Sequence, residues 1–76
     1  MRDIGKNIRD LRQQKHLTQE ELAERLFVTR QTVSNYENGR TRPDVDQILR
    51  LAEIFDTDAN AVLYGPPVPE GRKTAL

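Results

Sequence analysis

The chain has no cysteine and no tryptophan, one histidine, and only two tyrosines and two phenylalanines in 76 residues. Without cysteine there is no disulfide, thiolate metal site or thiol nucleophile, which suits a reducing compartment. With one histidine, His16, standing where a first helix should stop, neither a metal site nor acid–base catalysis has a second group to rest on. No glycine-rich phosphate loop follows a strand-like segment, so an enzyme is not expected, and no cofactor or metal is implied. Paired carboxylates such as Glu20 and Glu21 are adjacent and point apart on a helix, as on a solvated face. No apolar run approaches the ~18 residues of a membrane span, and MRDIGKNIRD lacks the apolar centre of a signal peptide. The expectation is a cytoplasmic protein without membrane contact. Four prolines and four glycines, with 32% charged and 36% hydrophobic residues, read as one small helical domain.

Net charge is also missing: twelve Lys and Arg balance twelve Asp and Glu. That argues against coating nucleic acid by bulk attraction. The charges are nevertheless polarised, with five Lys or Arg against two Asp in residues 1–15 and five Asp or Glu against Arg50 in residues 44–58. Arg30, Arg40 and Arg42 fall together in the middle, either as a basic face or as ordinary solvated charges.

What is present is a strong helical grammar between Thr18 and Arg42. Thr18 and Glu21 have capping-box spacing, and Leu22, Ala23 and Leu26 then recur on one helical face. Phe27-Val28-Thr29 breaks this helix, and Thr29 or a near neighbour can cap another, with Val33 and Tyr36 on its inner face. Asn38-Gly39 supplies the stop. Two short helices joined by a tight turn, at about residues 18–38, make a helix-turn-helix whose second helix can enter the major groove of DNA.

Ile4, Ile8 and Leu11 predict a first helix over about 2–15. Gly5 inside it signals either close approach to a neighbouring helix or tolerance near a fraying end. Pro43 suits the first position of a fourth helix over about 44–55, with Asp44 and Asp46 at its positive end and Ile48, Leu51, Ala52 and Phe55 as its stripe. Leu49 and Ile54 are either extra core or the start of a contact with a second subunit. Asp56-Thr57-Asp58 breaks the chain again, and a short fifth helix over 59–64 ends at Gly65. The expected core is Ile4, Ile8, Leu11, Leu22, Ala23, Leu26, Val28, Val33, Tyr36, Ile48, Leu51, Ala52, Phe55 and Leu63. Residues 1–65 then form the domain and 66–76, rich in proline, an extended and mobile tail. There is no internal repeat.

LTQEELAERL, VTRQTVSNYENGRTRPD and ILRLAEIF together resemble the Cro/C1-type, or XRE-type, helix-turn-helix family of the lambdoid phage repressors and Cro proteins. The resemblance covers about residues 4–65 and implies an all-α, compact five-helix, lambda-repressor-like DNA-binding domain. It implies base reading by the start of the third helix, which here is Thr29, Arg30, Gln31, Ser34 and Asn35. The residue types agree: Arg bonds both acceptors of guanine, and Gln or Asn pairs with the donor and acceptor of adenine. Thr18, Gln19, Asn38, Arg40 and Arg42 match the family's phosphate-contacting positions. Arg12 and Glu37 match a partly buried ion pair of structural role. Two positions where the family often has Gly carry other residues, His16 and Phe27. Phe27 therefore either distorts the turn, covers apolar surface or meets a partner.

The implied function is a transcriptional regulator, a repressor in the first instance, bound to double-stranded DNA as a homodimer on a pseudo-palindromic operator and so associated with the nucleoid. Ile54, Val62 and Tyr64 are the candidate dimer contacts. The alternatives are an antitoxin or other protein-interaction module, and the controller protein of a restriction-modification operon. No small-molecule effector is implied.

Overall fold

The computed structural model describes residues 3–65, and all regular structure among them is helical. The order is α1 (Ile4–Gln14), α2 (Gln19–Leu26), α3 (Arg30–Glu37), α4 (Val45–Ile54) and α5 (Ala59–Tyr64). α1 packs on α3 and α5, α2 on α3 and α4, and α4 on α5, so the helix-turn-helix is backed by the other three helices. The reading of residues 66–76 as a mobile tail lies outside the described residues.

Each helix starts in the same way, on a short polar side chain that accepts an otherwise unpaired amide. Asp3 accepts from Lys6 N at 2.9 Å, Thr29 from Thr32 N at 3.2 Å, Asp44 from Gln47 N at 2.9 Å and Asp58 from Ala61 N at 3.1 Å. Thr18 and Glu21 close a full capping box, with Glu21 N to Thr18 Oγ1 at 3.0 Å and Thr18 N to Glu21 Oε1 at 2.8 Å. Asp44 thus caps α4 itself, and Pro43 stands buried just ahead of the cap rather than at the first helical position. A carboxylate that satisfies a free amide does more for the helix start than a ring that only lacks a donor.

Four of the helix stops also share one form. Leu17 N to Arg12 O, Val28 N to Ala23 O, Arg40 N to Asn35 O and Thr57 N to Ala52 O all close at 2.8–3.1 Å. This six-residue bond spans a left-handed residue in each case, namely His16 (φ 58°), Phe27 (φ 59°), Gly39 (φ 77°) and Asp56 (φ 55°). The turn at Phe27 is therefore regular, with φ 59° and ψ 43°, and the substitution of Phe for Gly shows as steric cost, not distortion.

The expected core residues are buried except Val28, Ile48 and Leu63, which pack half-buried against its margin. Leu17, Ala61 and Val62 complete the core. Leu49 is 52% exposed, so it is not extra core, while Ile54 sits at the core margin. Gly5 marks a close approach and not a frayed end, because a Cβ there would run into Tyr36 O and lie 2.5 Å from Glu37 O. The amide of the buried Asn7 ties α1 to α5 by donating to Val62 O at 3.0 Å.

Candidate nucleic-acid interface

Burial of Val33 and Tyr36 decides which way α3 faces. With those two inward, Arg30 and Gln31 are exposed and Ser34 and Asn35 are half-exposed along the opposite edge. Thr29, at the cap, shares a 3.0 Å hydroxyl contact with Thr32. Gln31 Nε2 donates to Asn35 Oδ1 at 3.1 Å, which aligns two amides one turn apart. Among the described residues Gln31 Oε1, its second N–H and both side-chain N–H groups of Asn35 have no other partner, a donor–acceptor pattern suited to an adenine edge. Ser34 is less available, since its Oγ accepts from Asn38 Nδ2 at 3.2 Å.

The loop after α3 is anchored by its main chain and leaves its charged side chains outside. Asn35 O accepts from Arg40 N at 2.9 Å. The guanidiniums of Arg30, Arg40 and Arg42 are all on exposed residues and have no hydrogen bond, ion pair or ring contact among the described residues. Three unpaired cations around one helix are the charge that a neutral sum conceals.

Behind this surface lies the Glu37 carboxylate, its side chain 2% exposed. Arg12 meets it through Nε at 2.6 Å and Nη2 at 3.2 Å, and turns Nη1 to Leu17 O at 2.8 Å. The expected structural pair is therefore formed. Gln19, expected to reach phosphate, is half-buried and gives one N–H to Glu37 Oε1 at 3.1 Å, keeping the other. Thr18 is exposed at the start of α2, its oxygen occupied by the Glu21 amide. That oxygen and the Thr18 N–H both hold Glu21, and the main-chain N–H given to its carboxylate keeps the Glu21 pKa below the ordinary glutamate range.

The proposed dimer contacts separate. Val62 is fully buried and cannot meet a partner, because α5 is only six residues long and turns this side chain into the core. Ile54 is half-buried and Tyr64 is 59% exposed. Arg9, not anticipated from the sequence, donates Nη2 to Glu37 O at 3.2 Å. The signal was present in its spacing, since Arg9 and Arg12 lie three apart on the polar side of α1. Among the described residues no helix is long and apolar enough to cross a membrane, and no group of His, Asp and Glu is placed to hold a metal.

The helix-turn-helix family profile matches residues 8–61, and the chain belongs to that family, in its Cro/C1-type branch. The HTH-type transcriptional regulator ImmR of Bacillus subtilis is 32% identical over 73 residues, which cover 96% of this chain and 58% of that protein. The restriction-modification controller protein C.AhdI of Aeromonas hydrophila is 31% identical, with a TM-score of 0.75 over 80% of this chain and 92% of that one. The DNA-binding domain of the P22 c2 repressor has a TM-score of 0.77 over 82% of each chain and is 24% identical, a likeness of fold alone. The chain spans between 31% and 66% of the length of several such curated relatives.

Proposed function

We propose that this chain is a sequence-specific DNA-binding transcriptional regulator, a repressor in its simplest mode, with α3 laid in the major groove. The observation that carries this reading is the edge of α3, where Arg30 has no partner among the described residues and the Gln31 and Asn35 amides are aligned. Arg40 and Arg42 position the domain on phosphates, and Arg30, Gln31 and Asn35 choose the sequence. A single domain reads one half-site, so two copies act on a pseudo-palindrome with half-site centres about one helical turn apart. Ile54 and Tyr64 remain the candidate contacts between them. The reading assigns the chain no catalysis and places it with the nucleoid in the cytoplasm.

Selection of binding sites from random duplexes tests this directly. A defined half-site should emerge, Arg30→Ala and Gln31→Ala should each lose about 1–3 kcal/mol of discrimination at one position, and Arg40→Ala should weaken every duplex alike. Equal affinity of the unaltered chain for all duplexes would remove the proposal. A second reading, the controller of a restriction-modification operon, is favoured by the near full-length match to C.AhdI, 92% of which is covered. Restriction and methylation genes beside the coding gene would decide for it.

A further inference from the structure

Three side chains converge on the Glu37 carboxylate, and their charges do not cancel. Arg12 uses all three guanidinium nitrogens on Glu37 and Leu17 O, and its side chain is 13% exposed. Among the described residues the Arg9 side chain makes one hydrogen bond, to Glu37 O, and its Nε stands 3.7 Å from Glu37 Oε1, while its side chain is 42% exposed. Two guanidiniums against one carboxylate leave one positive charge in excess. Because Arg12 is the closer and better-bonded partner of the buried carboxylate, that excess resides on Arg9, the member that reaches solvent.

The position of this cation matters as much as its sign. The carboxylate that faces Arg9 also holds the Gln19 amide, and the next residue along the chain is the exposed Asn38. Arg9 therefore stands beside Gln19 and Asn38, the two polar residues at the start of α2 and the end of α3 that occupy positions expected to meet the DNA backbone. It brings a planar guanidinium with unused N–H groups, a shape that matches the paired oxygens of a phosphate. We propose that Arg9 is a further contact to a phosphate of the DNA backbone, on the strand met by Gln19, and that Glu37 is the positioning residue that aims both side chains. This rests on the DNA-binding reading. A role confined to capping the carbonyl of Glu37 is the competing account.

The test titrates the full chain, Arg9→Gln and Arg9→Lys with the selected duplex and with an unrelated duplex between about 50 and 200 mM salt. Arg9→Gln should flatten the plot of log affinity against log salt by about 0.9 and weaken both duplexes by the same factor. Arg9→Lys should keep the original slope. A neutral methylphosphonate at the contacted position should erase the difference between the unaltered chain and Arg9→Gln, and should do so on the strand where the same change erases the effect of Gln19→Ala. An unchanged slope for Arg9→Gln, in a chain that otherwise binds, overturns the proposal, whatever happens to its melting temperature. Absence of selective binding by the unaltered chain instead overturns the reading beneath it, and that failure appears before any variant is made.

Discussion

At the scale of single residues, the sequence shows where the backbone is unusual but not which force is responsible. Gly5 is the clearest case. Helix propensity alone says that alanine there should stabilise by about 1 kcal/mol. The structure reverses the sign, since the new methyl would meet two main-chain oxygens, which cannot swing away as a side chain does. Gly5→Ala should destabilise the domain by about 2 kcal/mol or more in a urea titration, and a gain in stability would disprove the close crossing of α1 and α3. Phe27 poses the converse problem. Its left-handed backbone costs about 1–2 kcal/mol, and the residue is 83% exposed, with the Arg50 guanidinium 5.6 Å from its ring centroid. An exposed cation–π contact returns about 0.5–1 kcal/mol, so the turn keeps a local strain that its hydrogen bonds hold in place.

At the scale of elements, the helices were legible because their ends are written in neighbouring residues. A cap joins positions three apart, and a stop joins positions five apart, whatever the rest of the chain does. The capping box of α2 adds a pH signature. The Glu21 carboxyl is held below its usual range chiefly by the Thr18 main-chain N–H that it accepts, with the Thr18 hydroxyl close by. A lowered carboxyl contributes stability above its unfolded pKa and loses it as pH falls through the folded value. Glu21→Gln keeps a side-chain acceptor at this position and removes the titration. The melting-temperature advantage of the unaltered chain over Glu21→Gln should therefore be largest at neutral pH and shrink between about pH 5 and pH 3. A constant difference would show that charge adds nothing to this cap. The direction of α3 was legible in the same local way, since placing Val33 and Tyr36 inward turns Arg30 and Gln31 outward.

At the scale of the whole molecule, Glu37 joins α1 and the first residue of α2 to the end of α3, and its partner Arg12 extends the cluster to the loop before α2 through Leu17 O. A domain of this size has total stability of only about 5 kcal/mol, so this one cluster matters. Glu37→Gln strands Arg12 without a counter-charge and should cost about 3–5 kcal/mol, which lowers the urea midpoint steeply and, at the upper end, leaves about half of the chains unfolded by circular dichroism at room temperature. Replacing both partners, Arg12→Met with Glu37→Met, should recover most of that loss, because no buried charge is then left alone. If the double variant is as unstable as the single one, packing and not charge is what the cluster provides.

The order of local signals along the chain was enough to specify five helices, the caps of α2, α3 and α5, the helix-turn-helix and the outward edge of α3, because each depends on residues within one or two turns of each other. Other features waited for distant segments to meet. Gln19 is drawn to Glu37 across 18 positions, Arg9 across 28, and Asn7 reaches Val62 across 55. Val62 looked available to a partner only until α5 folded back on α1. Periodicity assigns a side chain to a face, but packing decides whether that face is covered and which charges it brings together.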